Sequence, residues 1–490
     1  MLLLALDIGT SICKASLVNE TLNVADSEEI PYRTYFPKKN YAEQDPEDWW
    51  KCSVQAVRRL LERHPEAARQ IAGIGTSGHM LGMLPVDNQG EALFPALIHA
   101  DTRAFTEQKQ IEKVIGAGHI YCKTGNVLSP SSVLCKTLWL KNNELEIYNK
   151  TARFLQSKDY LTYRMTGNMD STDYSDASHA SLMDIQKKCY LEEEFITLGI
   201  DKSKFPNIHK GTEIAGTLQP EAARAMGLLE GIPVIVGCGD GACSNMGAGI
   251  VKEGDVYCSL GTTAWIAGVR NEPFIDEKQR VFNIMSADGE HFGLFGTTQS
   301  AGRVVQWAQK LFELDTPQRL DTLASEAPPG CDGLFLLPYL EGERSPIFDA
   351  DAKGIYFGIT PLHTKSYFLR AALEGVAYAL RSILAVFREK DNICSMRIIG
   401  GGAKSLLWKQ IIADVCQTEL CELNAAAQEA ASVGAAAAAG TAVGIFPDLY
   451  SAAIKIQARK SVQMTEKMYE AYEKNFEKFM MLYPRVSSLF

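Results

Sequence analysis

The sequence predicts a mixed α/β chain of two related halves, with much of its sheet buried. Three observations predict it. Apolar segments with strand character recur along the chain and end at glycine-rich turns. Segments with helical spacing fall between them. A strand–turn–strand pattern at Leu3 to Val18 returns at Val256 to Val269, about half a chain later. Each copy is an apolar strand, a Gly-Thr-Ser or Gly-Thr-Thr turn and a second apolar strand.

Asp45-Pro46-Glu47-Asp48 reads as a helix start: Asp45 as N-cap, Pro46 at the first helical position and acidic residues in the first turn. Trp49, Val54, Val57, Leu60 and Leu61 continue it at near-helical spacing. Ile71 to Ile74 reads as a short strand, followed by a loop Gly75-Thr76-Ser77-Gly78. Pro233 to Val236 reads as a buried strand that exits through Gly237-Cys238-Gly239-Asp240. Leu369 to Phe387 is a long helix with Leu369, Leu373, Val376, Leu380 and Leu384 on one face. Ile398 and Ile399 run into another glycine-rich turn, Gly400 to Ala403. Ala430 to Phe446 is apolar but built largely of alanine and glycine. It falls short of the ~20 bulky residues that span a bilayer. Small residues let a helix pack closely, so a buried helix is expected there.

Of the 490 residues, 46% are apolar and 22% charged, which allows a large core and excludes disorder as the main state. Forty-nine basic against 59 acidic residues give a net charge of −10, with no long basic run. That argues against a nucleic-acid partner and against a basic membrane-binding face. The 12 cysteines contain no C-x-x-C pair and read as reduced, mostly buried thiols. The apolar start meets Asp7 at once and has no basic segment before it. The expected location is therefore the cytoplasm, with no membrane span.

Asp7-Ile8-Gly9-Thr10-Ser11 suits a phosphate. Glycine admits close backbone approach, backbone N–H groups and the Thr10 and Ser11 hydroxyls can bind oxygens, and Asp7 can hold hydrated Mg²⁺. A plain hairpin is the alternative. The second copy, Ser259-Leu260-Gly261-Thr262-Thr263, favours a nucleotide cleft between two halves, although no G-x-x-x-x-G-K-[ST] loop occurs. Asp240, flanked by glycines, can take the proton of an attacking hydroxyl or be an ordinary turn residue. Gly237-x-Gly239-x-x-Ala242 also fits a loose dinucleotide fingerprint, so a dehydrogenase is a rival reading. A non-catalytic nucleotide-binding protein is another, though such a protein has no use for a base at Asp240. Gly342-Glu343-Arg344-Ser345-Pro346 has the composition of a surface loop. His79, Met80, Asp101 and Arg103 come from two further loops.

Taken in order, these segments resemble the FGGY carbohydrate kinase family of the actin-like ATPase superfamily. The resemblance runs through Asp7 to Ser11, Glu43 to Trp50, Lys136 to Trp139, Lys158 to Leu161, Gly239-Asp240-Gly241, Leu260 to Thr263, Leu337 to Pro346, Glu374 to Tyr378 and Gly400 to Ala403. It is strongest to the xylulokinase branch. The resemblance implies two ribonuclease-H-like domains facing a cleft: a sugar-binding domain over residues 1–244 and an ATP-binding domain over 245–490. It implies ATP and Mg²⁺, with Asp240 as catalytic base and Asp7 and Asp240 at the metal. Thr10, Ser11 and Lys14 would face the transferred phosphate, and Gly261 and Thr262 the others. Gly302, Gln306, Gly401, Gly402 and Ala403 would flank ribose and adenine. His79, Met80, Asp101, Arg103 and Asp240 would contact the sugar. D-xylulose, giving D-xylulose 5-phosphate, is the first substrate implied; other ketopentoses, gluconate or short polyols are the alternatives. Members of the family are often dimers, so a homodimer is the implied assembly. The sugar loops depart from the xylulokinase pattern. Ser77-Gly78-His79-Met80-Leu81-Gly82 replaces Ser-Gly-Gln-Met-His-Gly, His99-Ala100-Asp101 replaces Trp-Asn-Asp, and Gly241 stands where asparagine is usual. Polar groups that bind hydroxyls discriminate sharply, so these positions bear on substrate choice.

Overall fold

The computed structural model describes residues 1–423 and 429–490. Among them, two seven-stranded sheets repeat one plan. The first holds β1 (Leu2–Ile8), β2 (Ile12–Asn19), β3 (Val24–Pro31), β4 (Ile71–Gly78), β5 (Ile214–Thr217) and β6 (Pro233–Ile235), in the order β5-β6-β4-β1-β2-β3. The short strand Cys238–Gly239 also pairs with β4. The second holds β7 (Val256–Leu260), β8 (Ala264–Arg270), β9 (Phe282–Met285), β10 (Phe292–Thr298), β11 (Ser395–Ile399), β12 (Glu419–Leu423) and β13 (Ala458–Val462), in the order β9-β10-β8-β7-β11-β12-β13. In each, an antiparallel hairpin (β1–β2, β7–β8) is flanked on one side by parallel strands (β4 and β6; β11 and β12) and an antiparallel edge. The half-chain echo in the sequence is thus a structural repeat.

Seven helices matter for the site: α1 (Pro46–Arg63), α2 (Ser157–Thr166), α3 (Tyr174–His179), α4 (Asp240–Gly247), α5 (Gly302–Leu311), α6 (Lys365–Arg388) and α7 (Ala430–Ala442). The start of α1 is as the sequence indicates: the Asp45 carboxylate accepts the Glu47 N–H at 2.9 Å, with Pro46 in the first turn. Strand β4 is longer than expected. It runs on through Gly75 to Gly78 because β1 pairs along one side and Cys238–Gly239 along the other. The expected loop is a central strand whose glycines leave room for neighbours.

The alanine-rich segment is a buried helix, α7, ending at Ala442. It packs against β4 and β1 of the first sheet and crosses α4. A Cβ on Gly247 would stand 1.8 Å from the Ala430 carbonyl oxygen, and one on Gly434 1.9 Å from that of Cys243. Two glycines therefore let the helix backbones touch. An apolar cluster containing Leu3, Ala5, Met246, Tyr257 and the alanines of α7 continues this contact between the sheets. The expected division at 244/245 falls inside α4. Among the described residues, no helix is long and apolar enough to cross a membrane.

Candidate active site

The two hairpin turns open toward the cleft, and each is braced from behind. In the first, Gly9 N–H donates to the Ile12 carbonyl at 3.0 Å. The Gln44 amide donates to the Thr10 carbonyl at 2.7 Å, and Gln44 in turn accepts the Trp49 indole N–H at 2.9 Å. The Tyr32 hydroxyl bonds the Gly9 carbonyl. The start of α1 thus fixes the turn and leaves Thr10 and Ser11 exposed. In the second, Gly302 N–H donates to the Gly261 carbonyl at 2.8 Å and Ala301 N–H to that of Thr262 at 3.0 Å, so the head of α5 holds the turn while Thr262 stays exposed. Gln306 is exposed on the same helix.

A cavity of about 180 Å³ joins the halves, lined by Asp7 and Lys14 from one and Ser259, Gly400 and Glu429 from the other. Gly400 has φ +93°, and a Cβ there would meet the Leu260 carbonyl oxygen at 2.7 Å. Only glycine lets β11 turn at this point. The following turn, Gly401–Lys404, leaves Gly401 exposed, and Gly402 and Ala403 partly so. Lys14 lies opposite Asp7 in the hairpin register and pairs with Glu29 at 2.8 Å.

A second cavity, of about 400 Å³, shares Ser244 and Trp265 with the first and holds Thr10, His79, Met80, Asp240 and Arg344. Asp240 is the first residue of α4, with Gly239 as cap. Burial and the neighbouring Asp7 carboxylate push its pKa up to about 7. Burial likewise raises that of Asp7. One oxygen of Asp7, Oδ1, is buried with no hydrogen-bond partner. An orphaned carboxylate oxygen beside a second carboxylate fits a cation. Among the described residues, no group of three or more His, Cys, Asp or Glu could hold a metal.

Three imidazoles line the far wall: His79, His99 and His179. The Asn126 amide nitrogen donates to the carbonyls of Thr124, Ser178 and Asn283, so its oxygen faces His179 Nδ1 at 3.0 Å. That nitrogen therefore carries the proton, leaving Nε2 as acceptor. Burial holds all three rings neutral, with pKa values down to about 3, 4 and 3. His79 is 2% exposed, and both its ring nitrogens lack partners. Unfolded, it would bind a proton near pH 6.5. Between its folded value and 6.5 the unfolded chain holds more protons, so stability rises with pH and is lost on acidification. At pH 5 the His79 share is ~2 kcal/mol. The drop in Tm from pH 7 to pH 5 is expected to shrink in His79→Gln, as read by calorimetry.

Asp101 and Arg103, expected at the sugar, lie outside both cavities. Arg103 donates to Asp101 at 2.7 Å and to Glu43 at 2.6 Å and stacks on Tyr41 at 3.7 Å. Asp101 also accepts the Ala42 N–H at 2.7 Å. The pair ties the loop that carries His99 to the segment before α1. Arg344 was not expected in the site. Its loop is anchored by Glu343, whose carboxylate accepts the Thr298 hydroxyl and the Gln299 N–H, each at 2.7 Å. The anchor turns a loop of surface composition into a cleft wall.

The models of the FGGY family of carbohydrate kinases match in order, the N-terminal domain over residues 2–247 and the C-terminal domain over residues 256–443. The chain belongs to the FGGY family of carbohydrate kinases. It is similar to the xylulose kinase of Bacillus subtilis (strain 168), 33% identical over 448 residues that cover 91% of this chain and 89% of the relative. It is similar to the gluconokinase of the same strain, 31% identical over 431 residues that cover 85% and 83%. A solved structure of a "xyloylose kinase" from Brucella ovis superposes with a TM-score of 0.93 at 29% identity, covering 100% of both chains. As an FGGY kinase, the chain is an ATP-dependent sugar phosphotransferase with the actin-like ATPase fold, and its family normally needs a metal ion. The two family matches overturn the dehydrogenase and non-catalytic readings: Gly237 to Ala242 lies within the N-terminal domain of a carbohydrate kinase.

Proposed function

We propose that the chain transfers the γ-phosphoryl group of Mg-ATP to a hydroxyl of a small sugar, with Asp240 as general base and D-xylulose as first candidate. The carrying observation is that Asp240 lines the larger cavity, while Asp7, which raises its pKa, lines the adjoining one. A carboxylate lining the cavity that would take the sugar can accept the proton of a hydroxyl bound there. Asp240 takes the proton of the sugar hydroxyl as its oxygen bonds to the γ-phosphorus. The bond from phosphorus to the bridging oxygen of ADP breaks, and sugar phosphate and ADP leave. Mg²⁺, held by Asp7 and Asp240, would neutralise phosphate charge. Thr10, Ser11, Lys14, Gly261 and Thr262 would hold the phosphates, and Gly302, Gln306, Gly401, Gly402 and Ala403 the nucleoside. His79 and Met80 would meet the sugar, with Asp101 and Arg103 bracing the loop behind. Trp265, Phe282 and Phe295 supply an apolar wall that helps exclude water. Sugar-binding (1–244) and ATP-binding (245–490) domains, a homodimer and a cytoplasmic location belong to the same proposal.

One observation favours a second substrate. The Arg344 guanidinium lines the larger cavity and is exposed to the cleft, and the neighbouring Glu343 carboxylate attracts it without closing an ion pair. A sugar acid such as gluconate would pair with it. The test is sugar-dependent ADP formation with Mg-ATP over D- and L-xylulose, D- and L-ribulose, gluconate, glycerol and erythrulose. Highest kcat/KM for D-xylulose supports the first reading. If gluconate is best, Arg344→Met is expected to raise its KM ~10- to 100-fold, the worth of one charged hydrogen bond. No turnover with any of them refutes both.

A further inference from the structure

Behind the base lies a buried ionic cluster that touches neither cavity. Lys158, at the start of α2, reaches Asp159 at 2.5 Å, Asp173 at 3.1 Å and Asp176 at 3.2 Å, and all four side chains are at most 2% exposed. Burial opposes the ammonium, but the three carboxylates together hold the Lys158 pKa well above its ordinary value. One lysine among three buried carboxylates is a costly arrangement for mere stability.

The cluster leads to the active site by two routes. The Ser175 hydroxyl donates to Asp173 Oδ2 at 2.5 Å, which turns its lone pairs outward, and there it accepts the Gly239 N–H at 2.9 Å. Gly239 is the cap residue directly before Asp240. Ser157, next to Lys158, donates to the His79 carbonyl at 3.2 Å. One rigid knot therefore grips both the turn that aims the base and the loop that meets the sugar.

We propose that Ser175, backed by Asp173 and Lys158, is a positioning residue that fixes the Gly239–Asp240 turn relative to the sugar loop. The proposal rests on Asp240 being the base. Hydrogen bonding to Asp173 commits the serine proton, so Ser175 can only accept from Gly239. Loss of the hydroxyl frees the turn and leaves a buried N–H without a partner. An error of ~1 Å in a reacting group costs up to ~10²-fold in rate.

The experiment compares Ser175→Ala, Ser175→Thr and Asp240→Asn in the full chain, with Mg-ATP and whichever of D-xylulose and gluconate turns over faster. Ser175→Ala is expected to lower kcat ~10- to 100-fold while KM for sugar and ATP stay within ~3-fold. Ser175→Thr, which keeps the acceptor, is expected to restore kcat to within ~3-fold of native. If the alanine variant does not fold, Ser175→Cys keeps the volume with only a weak acceptor and carries the same expectation. A lowered Tm with kcat within ~2-fold of native would overturn the proposal, because a purely structural serine changes the folded fraction and not the rate per folded molecule. An inactive Asp240→Asn beside an active Ser175→Ala refutes this inference alone. An active Asp240→Asn refutes the base assignment beneath it.

Discussion

Asp240→Asn is expected to lower kcat for sugar phosphorylation by ~10³-fold or more, toward the upper range of what a positioned general base contributes. Asparagine keeps the size of the side chain and the head of α4, so folding should survive. It cannot accept a proton from the sugar hydroxyl. It also removes a buried carboxylate whose ionisation burial and the Asp7 carboxylate oppose, so a modest gain in Tm is expected. Nucleotide binding should persist, because the hairpin turns and the Gly400 to Ala403 turn are unaltered. A coupled ADP assay gives the rate, and titration with ATP gives the binding. Activity near native would show that the hydroxyl proton leaves by another route.

Gly247→Ala or Gly434→Ala is expected to be the most destabilising single-methyl change in the molecule. The added Cβ would lie under 2 Å from a backbone carbonyl oxygen of the facing helix, an atom that cannot swing aside as a side chain can. The helices must separate, and the apolar layer between the sheets opens with them. A cost of ~3 kcal/mol or more is at the upper end for overpacking, equivalent to a Tm drop of ~6–12 °C for a domain of this size. Thermal unfolding of each variant checks it. An unchanged Tm would mean that α4 and α7 do not cross as closely as described. Alanine at Gly401, where a Cβ meets nothing within 4 Å, is the matched control.

Much of this site is legible in the sequence because the chemistry sits at strand ends beside glycine. Thr10, Asp240, Gly261 and Gly400 each follow an apolar strand and Asp7 is next to last in one, and a strand that runs into glycine puts its last polar residue at the end of a sheet. The half-chain echo shows for the same reason. What stays hidden depends on partners distant in the chain. Arg103 finds Glu43, 60 residues away, and so serves as a brace. Glu343 finds Thr298 and Gln299 and carries Arg344 into the cleft. His179 ends a six-residue helix and reaches the cavity through Asn126, 53 residues earlier. No local pattern marks any of these. The strand through Gly75 to Gly78 was hidden by composition, since glycine weakens strand propensity, and pairing on both sides overrides it.

The most direct measurement follows the phosphoryl group itself. The native chain is incubated with Mg²⁺ and ATP labelled in the γ position, with D-xylulose, with gluconate and with no sugar. Label is expected to pass to one of the sugars far faster than to inorganic phosphate, and the no-sugar sample should release little. Label that reaches only inorganic phosphate, or remains in ATP across the whole sugar panel, would contradict a cleft built to carry a phosphoryl group from nucleotide to sugar.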